Sequence, residues 1–127
     1  MRRIGQRVVW PMTVALLASA GAAHAEGDAA AGEKVFNKCK VCHVVEEEKN
    51  KWGPYLRGVF GRQAGTAEGF KYSDAMKNSG VVWDDETIAA YLADPKGYVP
   101  GNRMAFVGLK KEEDIQNLLA YLHQVAE

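Results

Sequence analysis

The chain has 127 residues, 47% of them hydrophobic, and its 16 basic and 16 acidic side chains cancel to a formal charge of zero. That balance leaves no electrostatic footprint for nucleic acid. The length admits a single domain with one modest core.

Arg2, Arg3 and Arg7 open the chain, an apolar run follows from Val8 to Ala20, and Ala23-His24-Ala25 precedes the polar Glu26-Gly27-Asp28. A positive region, a short apolar region and a small-residue site, in that order, describe a secretory signal peptide. The run is short for a membrane span, and an uncleaved anchor is the alternative. Cleavage is expected after Ala25, so residues 1–25 would be removed and residues 26–127 would form the mature domain. That domain carries 13 basic against 16 acidic side chains, a formal −3.

Asp28 can cap a first helix that runs towards Cys39 with Ala31, Val35 and Phe36 as apolar positions. From His43 to about Phe70 five glycines and no alternating pattern predict a long ordered loop, and a loop of that length in a compact domain usually has a functional reason. Ser73 caps a short helix through Lys77 that ends at Gly80. In "WDDETIAAYLADP", Asp84 or Asp85 caps, Ile88, Tyr91 and Leu92 share a face, and Pro95 stops the helix. A turn-rich segment from about Tyr98 to Leu109 comes next. The last segment places Ile115, Leu118, Leu119, Leu122 and Val125 at helical spacing behind Glu112, Glu113 and Asp114. No strand is predicted. Ordering this much irregular backbone costs about 1–2 kcal/mol per residue, more than these apolar faces readily offset, which points to a buried prosthetic group.

"CKVCH" at residues 39–43 is the pattern of a c-type haem attachment site. Two thiols at this spacing can add to the two vinyl groups of haem, and the histidine that follows presents its imidazole to the iron. Export fits, because covalent haem attachment takes place beyond the bacterial inner membrane, in the periplasm. Two other readings compete. A redox dithiol needs a βαβ context that this chain lacks. Structural zinc needs four ligands, which Cys39, Cys42, His43 and His123 would have to supply from distant segments. With haem, the sixth iron position could be taken by Met76, Met104 or His123. Met76 reads as a core residue, and His123 as a solvated residue beside the helix stripe. Met104 lies in a loop where no core pattern demands an apolar side chain, and the Pro100-Gly101 turn can aim its thioether inward, so it is the best candidate.

From Gly27 onward the sequence resembles a class I cytochrome c. The segments "GEKVFNKCKVCH", "WGPYLRGVFGRQAGTAEGF", "YSDAMKNSGVVW" and "YLADPKGYVPGNRMAFVGLKKEEDIQNLLAYL" carry the resemblance in order over nearly the whole mature chain. It implies an all-α cytochrome c fold, three to five helices and long loops wrapped around one covalent haem. Cys39 and Cys42 would hold that haem, with His43 and Met104 as axial ligands. The Pro54 carbonyl would accept the proton on the far nitrogen of His43. Arg62, Tyr72 and Trp83 would contact the propionates, Tyr91 would lie beside the Met104 sulfur, and Phe106 would shield the haem edge. Gly32 would let the first helix cross the last near Tyr121.

Four positions depart from the mitochondrial pattern, which usually has asparagine at Met76, threonine at Asn102, lysine at Arg103 and one of a lysine pair at Gly97. Lys38, Lys51, Lys96, Arg103, Lys110 and Lys111 match a basic ring around the haem edge, while acids concentrate at Glu46-Glu47-Glu48 and Asp84-Asp85-Glu86. The implied function is one-electron transfer by a monomeric, non-enzymatic carrier. A cytochrome bc1-type complex would be its donor, and an oxidase, reductase or photosynthetic reaction centre its acceptor. The rival is a haem enzyme or gas sensor with an open sixth position.

Overall fold

The computed structural model describes residues 27–127, together with Pro11 and Ala15; the rest of the proposed signal peptide, its cleavage site included, lies outside the described residues. Among the described residues five helices occur in order: α1 (Ala29–Phe36), α2 (Asp74–Lys77), α3 (Asp85–Ala93), α4 (Pro95–Tyr98) and α5 (Glu112–Val125). The only pairing of strand type among the described residues is an isolated antiparallel bridge between Gln63 and Val82.

The helix ends follow from local side-chain chemistry. Asp28 Oδ1 accepts from the Ala30 and Ala31 N–H groups at 2.9 and 3.3 Å, satisfying donors that a helix start leaves free. Ser73 Oγ does the same for Met76 N at 3.1 Å. At α3 the cap is reciprocal: Asp84 Oδ1 accepts from Thr87 N at 2.7 Å, and Thr87 Oγ1 accepts from Asp84 N at 2.8 Å. Pro95 does more than end α3. It is the first residue of α4, where its missing N–H costs nothing, and Asp94 caps that turn through Gly97 N at 3.1 Å. Lys111 gives α5 no side-chain cap, and Glu112, Glu113 and Asp114 instead place negative charge at its positive end.

The core gathers Phe36 from α1, Ile88 and Tyr91 from α3, Ile115, Leu118, Leu119 and Leu122 from α5, and Val59, Trp83, Val99 and Leu109 from the connecting segments. Helix α1 crosses α5, with Phe36 and Tyr121 rings 5.5 Å apart. At the crossing Asp28 N donates to Asn117 Oδ1 at 2.8 Å, which satisfies one of the two buried polar side chains among the described residues.

His123 differs from the solvated helix residue that the sequence suggested. Its ring stacks on Phe60 with centroids 3.8 Å apart, while Nε2 meets Asp85 Oδ1 at 2.6 Å and Nδ1 meets Glu127 Oε1 at 2.9 Å. The α3 start, the loop at residue 60 and the end of α5 thus share one imidazole. Partial burial opposes protonation, but the hydrogen bonds and charges of Glu127 and Asp85 outweigh it and raise the pKa above the usual value of 6.5. A raised pKa means that the stabilisation is complete below the unfolded-state value and is lost as pH climbs through the folded-state value. The melting midpoint should therefore decline from pH 6 upward. Because the ring is 40% exposed, screening holds the effect near the 0.2–1 kcal/mol of exposed pairs, about 1–8 °C. A pH series of thermal melts checks this; His123→Gln should flatten the decline, and an equally steep slope in that variant removes His123 as its cause.

Candidate haem site

The "CKVCH" segment continues directly from α1 as tight turns. Cys39 N and Lys40 N donate to Phe36 O, and Cys42 N and His43 N both donate to Cys39 O at 3.0 and 2.9 Å. Both thiols are half-buried and free rather than joined in a disulfide. Burial pushes the Cys39 thiol up to about 11, against a small opposing pull from Lys38. A redox dithiol works through a thiolate of depressed pKa, so this environment disfavours the dithiol reading. Among the described residues no group of three or more His, Cys, Asp or Glu side chains is placed to hold a metal ion, which disfavours structural zinc.

His43 is held from two sides. Its Nδ1 lies 2.7 Å from Pro54 O, which fixes Nδ1 as the protonated nitrogen and leaves Nε2 unprotonated, with its lone pair available to a metal. Its ring lies over Gly53: a Cβ there would stand 2.5 Å from His43 Cε1. Gly53 N donates to Cys42 O at 2.9 Å, so the two backbones are locked at the same place. Burial lowers the His43 pKa, with the Pro54 bond opposing and Arg62 adding to the fall. The ring is therefore neutral at physiological pH, the form a metal ligand requires.

Met104 stands on the irregular segment between α4 and α5, here called the strap. Tyr91 Oη is 3.8 Å from its Sδ and 3.4 Å from Asn102 Oδ1. Burial drives the Tyr91 phenol up to about 12, so it remains a donor. The strap is pinned at its start by Val99 N to Pro95 O, 3.1 Å, and at its end by Leu109 N to Leu92 O, 2.7 Å. Phe106 is half-buried and, like Met104 and Cys39, packs against the core; its N–H donates to Met104 O at 2.9 Å.

The remaining candidates fall into separate settings. Arg62 and Trp83 are brought together by backbone pairing, Trp83 N to Arg62 O at 2.9 Å, and the Trp83 ring lies 5.1 Å from that of Tyr91. The Arg62 guanidinium donates to Tyr55 O at 2.9 Å and to Arg57 O at 3.3 Å. Tyr72 Oη accepts from Ala67 N at 3.1 Å, leaving its own proton free to donate. Met76 is half-buried against the core, as the sequence suggested. Lys38, Lys51, Lys96, Arg103, Lys110 and Lys111 are all exposed. Lys51 reaches back to Lys40 O at 3.1 Å, and Lys110 reaches Val107 O at 3.0 Å.

Sequence reasoning missed Gly53 and the bonding of Asn102. It also missed two exposed apolar side chains beside the basic residues, Trp52 at 82% and Val107 at 81%. The hydropathy of Trp52 carries no signal of exposure, but its place between Lys51 and Gly53 in a turn does.

Paired free thiols on a tight turn, a neutral imidazole held by one nitrogen and cleared by a glycine, and apolar walls together fit a covalently attached haem. Comparisons with known proteins agree. The cytochrome c family model matches residues 29–126, and the chain belongs to that family. It is a class I c-type cytochrome, and the family's prosthetic group is a covalent haem c. More particularly, it is 50% identical over 110 residues to cytochrome c2 of Blastochloris viridis, covering 86% of this chain and 87% of that one. It is 52% identical over 97 residues to cytochrome c-550 of Bradyrhizobium diazoefficiens, covering 76% and 71%. The solved structure of cytochrome cH from Methylobacterium extorquens superposes with a TM-score of 0.73 at 48% identity, covering 77% of this chain and 99% of that one. These relatives make the chain an electron-transport cytochrome.

Proposed function

We propose that the chain is a periplasmic one-electron carrier whose haem c is bound through Cys39 and Cys42, with His43 and Met104 as the axial iron ligands. The haem supplies the Fe(II)/Fe(III) couple. His43 offers Nε2 while Pro54 holds the opposite nitrogen, which orients the ring and raises its basicity. Tyr91 Oη lies 3.8 Å from the Met104 sulfur and would temper the thioether's electron donation. Methionine ligation raises the potential by favouring Fe(II). Arg62, Tyr72 and Trp83 would meet the propionates, whose burial without donors would be costly. Phe106 would limit water at the haem edge. With His43 and Met104 both bound to the iron, no position would be left open to a substrate, so the reading is a carrier rather than an enzyme.

The observation that carries this reading is the Tyr91 Oη to Met104 Sδ contact of 3.8 Å on a strap pinned at both ends. Oxidised protein should show the weak far-red absorption of a methionine-sulfur-to-iron(III) bond, and Met104→Ala should abolish it. Absence of that band in the wild type, with ready carbon monoxide binding by the reduced form, favours the open-site reading instead.

Export with cleavage after Ala25 delivers residues 26–127 to the compartment where haem is attached, and N-terminal sequencing of native protein reads this directly. Lys38, Lys51, Lys96, Arg103, Lys110 and Lys111 would steer a monomer towards acidic sites on a bc1-type donor and on an oxidase, reductase or reaction-centre acceptor. Such steering weakens with salt. Lys51 and Lys110 sit beside the exposed Trp52 and Val107, which add apolar contact area to those encounters.

A further inference from the structure

We propose that Asn102 is the positioning residue that holds the strap closed and presents the Met104 sulfur. This rests on the reading of Met104 as an iron ligand. The Asn102 amide uses its hydrogen-bonding capacity on both sides. Nδ2 donates to Pro95 O at 2.8 Å and to Val99 O at 2.9 Å. Oδ1 accepts from Met104 N at 2.9 Å and faces Tyr91 Oη at 3.4 Å. Two carbonyls on one side and an N–H on the other determine which end is oxygen, because the flipped amide would point oxygen at two oxygens. One side chain thus ties the first turn of α4, the end of α4, the Met104 backbone and the phenol beside the sulfur.

The geometry of the strap makes this tie matter. Gly101, immediately before Asn102, has φ +90°, and no regular ladder covers residues 100–108. Between the Val99 and Leu109 anchors, Asn102 makes the side-chain bonds to Pro95, Val99 and Met104 backbone. Opening of the strap would take Met104 away from its position, and the Asn102 bonds oppose that opening. An added ligand can reach the iron only in the open population, so its apparent affinity is reduced by the open fraction. Loss of the clamp raises that fraction.

The test titrates imidazole into oxidised haem-loaded protein while following the far-red methionine band, in wild type, Asn102→Ala, Asn102→Asp and Leu118→Ala. Asn102→Asp keeps the acceptor for Met104 N but turns carboxylate oxygens on the Pro95 and Val99 carbonyls, with almost no change in size. Leu118→Ala loosens the core at a fully buried position on α5. Both Asn102 variants should show the band and bind imidazole at least tenfold more tightly than wild type, with Leu118→Ala well below them. Wild-type imidazole affinity in both Asn102 variants, with the band present throughout, overturns the clamp and leaves Met104 ligation standing. An equal rise in Leu118→Ala overturns it too, since general loosening would then suffice. A wild type without the band overturns both readings.

Discussion

Replacing Gly32 by alanine is expected to lower the melting midpoint by about 8–16 °C, which corresponds to about 2 kcal/mol in a domain of this size. A Cβ at Gly32 would collide with the backbone carbonyl of Asn117 and stand 2.8 Å from Tyr121 Cβ. Two effects oppose one another. Alanine in a helix is worth about 1 kcal/mol more than glycine, whereas overpacking a tight contact costs about 1–3 kcal/mol. The obstacle here is backbone on a neighbouring helix, which cannot rotate aside, so the cost belongs at the upper end and outweighs the gain. Relief requires α1 and α5 to separate, which stretches the Asp28 N to Asn117 Oδ1 bond of 2.8 Å and parts Phe36 from Tyr121. Gly27, whose Cβ would meet Gln116 O, lies before the Asp28 cap and outside α1, so relief there need not part the two helices along their crossing. Gly27→Ala should therefore cost less. Thermal melts of the two haem-loaded variants decide the matter, and a Gly32→Ala midpoint equal to wild type would show that the crossing is not limited by backbone approach.

What could be read in advance tracks the range of the interaction. The caps Asp28, Ser73 and Asp84 were legible because each side chain bonds N–H groups two or three positions on. "CKVCH" was legible because its chemistry fits in five residues, and α5 because its stripe repeats over several turns. Pro95 was read only as a stop, since a proline ends one helix and opens another by the same rigid φ, and nothing after it patterns as a full helix. His123 was misjudged because Asp85 stands 38 positions away, a pairing that only the docking of α3 and α5 creates. Asn102 was visible as a departure from a family pattern. Its partners, though, are the carbonyls of Pro95 and Val99, which carry no side-chain signature.

Gly53 was the least legible of all, and Gly53→Ala is expected to raise the reduction potential by tens of millivolts under the proposed His43 coordination. Unlike Gly58 or Gly61, it does not need a positive φ, so the backbone would accept alanine. Its role is to leave room: the added Cβ would lie 2.5 Å from Cε1 and 2.9 Å from Nδ1 of His43. The backbones cannot part cheaply, because Gly53 N to Cys42 O, 2.9 Å, closes the same gap. The ring must tilt, and tilting lengthens the Nδ1 to Pro54 O bond of 2.7 Å. A weaker bond to Pro54 makes the imidazole a poorer donor and so disfavours Fe(III) more than Fe(II). Losing one such bond, about 0.5–1.5 kcal/mol, bounds the rise at about 60 mV for a one-electron couple. Gly58 and Gly61 supply the control. A Cβ at either meets nothing within 4 Å, so alanine there carries backbone strain without touching His43. Voltammetry of all three variants should therefore find the potential raised in Gly53→Ala alone, although all three lose stability. A common shift would trace to strain rather than to the ring, and no shift in Gly53→Ala would remove the Pro54 bond from the control of the iron.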